Sequence, residues 1–250
     1  MPGDADWALF LDFDGSLVEI ADRPEAVVVE PGLPGTLATL RDGLDGALAL
    51  VSGRPIASLD GFLAPYRFDA AGLHGVEHRL RGELLPCRPE AHPTLREAVA
   101  ELPSRLPQHP GILIEDKGCS VGVHWRLAPE LDTDVIEVVE ATAAALGPDY
   151  RLQAGKAVAE ILPARAAKGP AIAQFLTETP FRGRRAVFCG DDLTDEHGFN
   201  TVNALGGVTI RVGPGPTAAQ RRVETPAALR LVLAEWAQQG RVDPDMIGPA

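Results

Sequence analysis

Short apolar runs that stop abruptly at Gly, Asp or Ser recur along this chain, and they constrain its fold more than any other feature. Residues 7–11 stop at Asp12, 47–51 at Ser52-Gly53, 186–189 at Gly190-Asp191 and 208–212 at Gly213-Pro214. Runs this short and, apart from Thr209 and Arg211, this apolar read as buried parallel strands rather than as half-exposed ones. Helical periods lie between them at 33–44 and 55–63, with a final one at 218–239. Strands alternating with helices predict an α/β fold built on a doubly wound, mainly parallel, Rossmann-like sheet. In such sheets ligands bind at the carboxyl ends of the strands, where these acids and glycines fall.

The middle of the chain has a different texture. Residues 120–126 and 156–162 alternate apolar with polar or small residues, as half-buried antiparallel strands do, and helical patterns occupy 93–106 and 129–146. In the second helix Leu131, Val135, Val138, Val139 and Leu146 form an apolar stripe interrupted by Thr142. Residues 86–163 are therefore expected to form an inserted, smaller α+β domain, with 1–85 and 164–250 as the core. A net charge of −12 disfavours nucleic acid and anionic membrane as partners. It leaves room for a small anionic substrate held by local cations. Cys87, Cys119 and Cys189 lack CxxC spacing and read as buried thiols in a reducing compartment. The first residues, MPGDADW, carry no basic segment, and no span is long enough for a membrane. A cytoplasmic monomer is the expectation.

Four segments at strand ends or helix starts carry chemistry. Asp12 and Asp14 are two residues apart in an extended segment, so both can face one metal or phosphate. A solvated acidic turn is the alternative. Ser52-Gly53-Arg54 offers a hydroxyl and backbone N–H groups to a phosphate, or a plain helix cap. Lys168 before a helix can neutralise a phosphate, or sit in solvent. Gly190 to Glu196 (GDDLTDE) places four acids, Asp191, Asp192, Asp195 and Glu196, where repulsion calls for a cation. A helix start enriched in acids is the other reading.

In this order DFDGSL, SGR, the lone lysine and GDDLTDE resemble the four motifs of the haloacid dehalogenase superfamily, with Ser16 where many members carry Thr. The segments at 72–75 (GLHG), 115–118 (EDKG), 124–126 (HWR) and 155–156 (GK), with Glu160, Pro163 and Phe199, are similar to the trehalose-6-phosphate phosphatase family. That resemblance implies a haloacid dehalogenase-type core with a cap inserted between the second and third motifs. It implies hydrolysis of a sugar phosphate through an aspartyl-phosphate, with Asp12 as nucleophile and Asp14 as acid and base. Mg²⁺ would be held by Asp12, the carbonyl of Asp14 and Asp191, with Asp192 and Asp195 supporting the site. Ser52 and Lys168 would grip the phosphoryl oxygens. Gly53, Arg54 and His74, and from the cap Glu115, Lys117, Arg126, Lys156 and Glu160, would bind substrate. No synthase-like segment accompanies these motifs, so dephosphorylation alone is expected. Sucrose phosphate, a mannosyl phosphoglycerate or a hexose phosphate are competing substrates, and a phosphosugar-binding regulator without catalysis is the remaining alternative.

Overall fold

The computed structural model describes residues 7–250, so the expectation for the segment before Trp7 lies outside the described residues. The chain divides into two compact units. One comprises the residues up to Leu85 and from Ala167 onward, the other Pro86–Ala166.

The first unit is built on an eight-stranded sheet. In chain order its strands are β1 (Trp7–Leu11), β2 (Leu48–Val51), β3 (Asp69–Gly72), β4 (Glu77–Leu80), β5 (Glu83–Leu85), β10 (Arg185–Gly190), β11 (Val208–Val212) and β12 (Arg221–Val223). They lie in the order β12-β11-β10-β1-β2-β3-β4-β5. All pairs from β12 to β3 are parallel, and β4 and β5 add an antiparallel ribbon at one edge. The chain winds outward from β1 in both directions, so the carboxyl end of β1 is the switch point at which such sheets bind ligands. Around this sheet α1 (Leu33–Gly43) packs on α7 (Pro226–Gln239), and α5 (Lys168–Phe175) on α6 (Leu193–Ala204); α2 (Ile56–Phe62) follows β2. Ala8, Leu9, Phe10 and Leu11 of β1 are fully buried, and Phe10 meets Phe175 and Phe181 at ring separations of 5.9 and 5.4 Å. Complete burial of the Leu9, Phe10 and Leu11 side chains contributes about 1.5–3 kcal/mol each, which ties β1 to the middle of the core.

The second unit is a four-stranded antiparallel sheet ordered β6-β7-β9-β8, from β6 (Leu113–Asp116), β7 (Val121–His124), β8 (Tyr150–Gly155) and β9 (Val158–Pro163). Helices α3 (Pro93–Arg105) and α4 (Asp132–Leu146) cover one face, where Val121, Val123, Ala159 and Ile161 pack with Leu95, Val135 and Val139. The alternation seen in the sequence has its cause here, since successive residues of a strand point to opposite faces.

Several expectations are corrected. The last helix starts at Pro226 rather than 218, because residues 221–223 pair in parallel with β11. Thr225 then caps the helix, its side chain accepting from the Ala228 amide, with Pro226 in the first turn, where a missing N–H costs nothing. The 156–162 run straddles a turn, and β9 begins only at Val158. Cys87 and Cys119 are not free thiols but a disulfide, with Cα atoms 6.0 Å apart. Folding brings them together across 32 residues, a pairing that local spacing does not display. Cys189 is the buried free thiol. Among the described residues no helix is long and apolar enough to cross a membrane.

Candidate active site

Three buried aspartates converge at the carboxyl ends of β1 and β10. Asp12 follows β1, Asp191 follows β10, and Asp195 lies in the first turn of α6; one oxygen from each falls within 4.8 Å of the others. Glycine makes this approach possible. A Cβ on Gly15, whose φ is +77°, would overlap the Asp191 carboxylate, and one on Gly190 would overlap that of Asp195. Lys168, at the start of α5 and 3% exposed, donates from Nζ to Asp12 Oδ1 and Asp195 Oδ1, both at 2.7 Å. The second oxygen of Asp195 accepts from the amides of Asp191 and Asp192, both at 3.0 Å, and Asp192 caps α6. Ser16 donates to Asp12 Oδ2 at 3.4 Å.

Electrostatically the cluster is short of positive charge. Burial, followed by the charge of Asp195, pushes the Asp12 carboxyl well above the usual range against the pull of Lys168. Burial acts to lower Lys168, but Asp12 and Asp195 outweigh it and hold the ammonium above the ordinary lysine range. Three carboxylates against one ammonium suit a further hard cation with oxygen ligands.

Asp14 is held apart from this trio. Arg54 grips it with a fork, Nε to Oδ2 at 2.6 Å and an Nη to Oδ1 at 2.7 Å. The remaining Nη donates to the Pro24 carbonyl at 2.9 Å, and the guanidinium lies 5.7 and 4.9 Å from the ring centroids of Phe13 and Phe62. Ser52 is buried just beyond β2; its Oγ accepts from the Arg54 amide at 3.2 Å and its carbonyl from the His74 amide at 2.9 Å. The His74 ring packs so closely on Gly53 that a Cβ there would come within 2.6 Å of Nε2. Residues 52–54 and His74 thus form one wall beside Asp14.

In the second unit the face left by α3 and α4 is polar. Glu115, Gly122, Glu160 and Gln153 lie opposite one another across β6, β7, β9 and β8, so their side chains share that face. Lys117 Nζ is 3.3 Å from Glu160 Oε1 and 3.8 Å from Glu115 Oε2. Ser120 Oγ donates to Glu160 Oε1 at 2.7 Å, and His124 Nε2 is 2.9 Å from Glu115 Oε2. Burial acts to raise Glu115, yet His124 and Lys117 prevail and hold it below the usual range. Arg126 and Lys156 belong to the opposite end of β7, where an Arg126 Nη donates to the Lys156 carbonyl at 2.7 Å. Ser120, His124 and Gln153 were absent from the sequence-derived set. The i, i+2 spacing of Gly122 and His124 is the signal that would have found His124, whereas Gln153 joins this face only through the pairing of β8 with β9.

The trehalose-phosphatase family model matches residues 10–230. The chain belongs to the trehalose-phosphatase family. A probable trehalose-phosphate phosphatase of Sinorhizobium fredii is 45% identical over 234 residues, covering 92% of this chain and 88% of its own. The trehalose-6-phosphate phosphatase of Escherichia coli K12 is 42% identical over 221 residues, covering 88% and 82%. In fold, this family member resembles the C-terminal domain of Candida albicans trehalose-6-phosphate phosphatase with a TM-score of 0.81 at 21% identity, over 94% and 93% of the two chains. Haloacid dehalogenase-like hydrolases share the fold as well, one from Bacteroides thetaiotaomicron with a TM-score of 0.64.

Proposed function

We propose that this protein is a phosphatase that hydrolyses trehalose 6-phosphate to trehalose and phosphate in the cytoplasm, through a covalent phosphate ester on Asp12. The observation that carries the reading is the buried Asp12–Lys168–Asp195 array at the switch point of the sheet. Asp12 Oδ attacks phosphorus, the bond from phosphorus to the sugar oxygen breaks, and Asp14 passes a proton to that oxygen. Asp14 then takes a proton from water, whose oxygen displaces Asp12 and frees phosphate. The Arg54 fork sets the direction in which the Asp14 carboxyl faces. Lys168 and Ser52 neutralise and orient the phosphoryl oxygens, which is most of what phosphoryl transfer asks of a protein.

Asp12, Asp191 and the main-chain carbonyl of Asp14 would hold Mg²⁺, which when bound supplies positive charge to the phosphoryl oxygens. The oxygen-only donor set, and glycines that leave the carboxylates room to close, suit that ion. Residues 86–166 act as the cap that selects the sugar. Glu115, Lys117 and Glu160 offer charged acceptors and a donor suited to sugar hydroxyls, with Arg126 and Lys156 as further donors and His74 from the core wall.

The test is phosphate release from trehalose 6-phosphate beside sucrose phosphate, mannosyl phosphoglycerate and glucose 6-phosphate, with Mg²⁺ and with chelator. Preference for trehalose 6-phosphate, lost with chelator, is expected. Equal turnover of the whole panel, or turnover unaffected by chelation, contradicts the reading.

A further inference from the structure

The Cys87–Cys119 disulfide lies against the turn that carries the charged groups of the second unit. Between β6 and β7 the chain turns through Lys117, Gly118, Cys119 and Ser120, and the Lys117 amide donates to the Ser120 carbonyl at 3.0 Å. Lys117 and Ser120 of this one turn approach the same atom, Glu160 Oε1, at 3.3 and 2.7 Å. Cys119 stands between them and is fully buried. Its partner Cys87 is half-buried, in a segment that packs on the turn from outside; a Cβ on Gly118 would meet Pro89 Cγ at 3.1 Å and Cys87 Sγ at 3.3 Å. At its other end the turn is braced by Arg96, which holds Asp116 with two bonds of 2.5 and 2.6 Å, while Asp116 accepts from the Gly118 amide at 2.9 Å.

We propose that the Cys87–Cys119 disulfide is a positioning pair that fixes Lys117 and Ser120 on Glu160, so that sugar recognition by this protein depends on its oxidation state. The proposal rests on the reading of this face as the sugar-selecting one. Disulfides in a cytoplasmic protein are mostly transient or redox-sensing, and this one links a recognition turn to a half-buried cysteine. Reduction by a dithiol is chemically complete. A reductant thiolate attacks Cys87 Sγ, the S–S bond breaks and Cys119 leaves with the electron pair and takes a proton. The second reductant thiol then displaces Cys87, giving two cysteine thiols and an oxidised reductant. The turn then keeps its Arg96–Asp116 brace and loses its covalent one. Both cysteines belong to the second unit and the Asp12 cluster to the first, so chemistry on a substrate without a sugar is expected to be unaffected.

The experiment uses the full chain, oxidised or reduced with dithiothreitol, with thiols counted by alkylation after denaturation; one free thiol is expected oxidised and three reduced. On reduction, KM for trehalose 6-phosphate should rise about 3- to 10-fold, the loss of roughly one hydrogen bond, with kcat on p-nitrophenyl phosphate unchanged. Cys87→Ser should behave as the reduced protein whether or not dithiothreitol is present. Hydrogen exchange at residues 117–120 should speed up on reduction while exchange in β1 and β10 stays slow. Identical KM values and identical exchange in the two states overturn the proposal, as does a chain that shows three thiols under every oxidising condition. If the oxidised chain does not hydrolyse trehalose 6-phosphate, the substrate reading falls, and the staple stands or falls on the exchange measurement.

Discussion

Two clusters in this molecule each set one lysine between two acids, and they are built in opposite ways. In the first, Lys168 bonds Asp12 and Asp195 at 2.7 Å each, all three at most 4% exposed, from the ends of β1, α5 and α6. In the second, Lys117 lies 3.3 and 3.8 Å from Glu160 and Glu115 on the face of an antiparallel sheet, its neighbours being a hydroxyl and an imidazole. The tight cluster sets charge at one point, as phosphoryl transfer needs. The looser one spreads donors and acceptors over several strands, as a ligand with many hydroxyls needs. Under the proposed function, variants of the first should lose rate on every phosphate ester, and variants of the second should lose only the sugar substrate.

The largest expected effect belongs to Asp12→Asn, which should lower kcat by about 10⁴ or more on trehalose 6-phosphate and on an aryl phosphate alike. Single-turnover phosphate release measures it, and ordinary turnover in the variant would remove the covalent mechanism. Arg54→Ala should cost roughly 10²-fold on the sugar phosphate, because Asp14 loses its aim. Much less should be lost with a dinitrophenyl leaving group, which departs without a proton. An equal loss on both would make Arg54 a phosphate ligand instead.

How far the sequence disclosed this division depends on where each residue lies. Asp12, Asp191 and Lys168 were legible because strand-ending acids and helix-starting lysines are local signals, and the order of the motifs completed them. The fork from Arg54 to Asp14 was not, since the two are 40 residues apart and meet only through the parallel pairing of β1 and β2. Strands β3, β4, β5, β6, β8 and β12 went unread because none carries a continuous apolar run like those of β1 and β2: β3 opens at Asp69, β4 runs Glu77-His78-Arg79-Leu80, and Glu83, Leu84 and Leu85 of the edge strand β5 are all exposed. The disulfide escaped for a similar reason, its partners being set by tertiary folding.

A smaller effect separates the units in stability. Breaking the Cys87–Cys119 link, which closes a loop within the second unit, should cost about 2–4 kcal/mol in the unfolding of that unit. Denaturant titration of the reduced and oxidised chain reads it; a loss spread equally over both units would break the comparison. The smallest effect concerns pH. The carboxyl of Glu115 is held below its ordinary value, so its contribution is present above about pH 4.3 and is lost as pH falls through the folded-state value. The thermal midpoint of Glu115→Gln should therefore lie below that of the unsubstituted chain at pH 6, and the gap should close as pH falls below the ordinary carboxylate range. A constant offset would mean that the charge of Glu115 contributes nothing.

Most direct is a crossed measurement on one residue from each cluster. Values of kcat/KM for trehalose 6-phosphate and for p-nitrophenyl phosphate are compared in Lys168→Ala and Glu160→Gln. Lys168→Ala should lose on the order of 10²–10³ on both substrates. Glu160→Gln should lose about 10-fold on the sugar phosphate and retain the aryl phosphate. Parallel losses in both variants would contradict the division of labour between the two clusters.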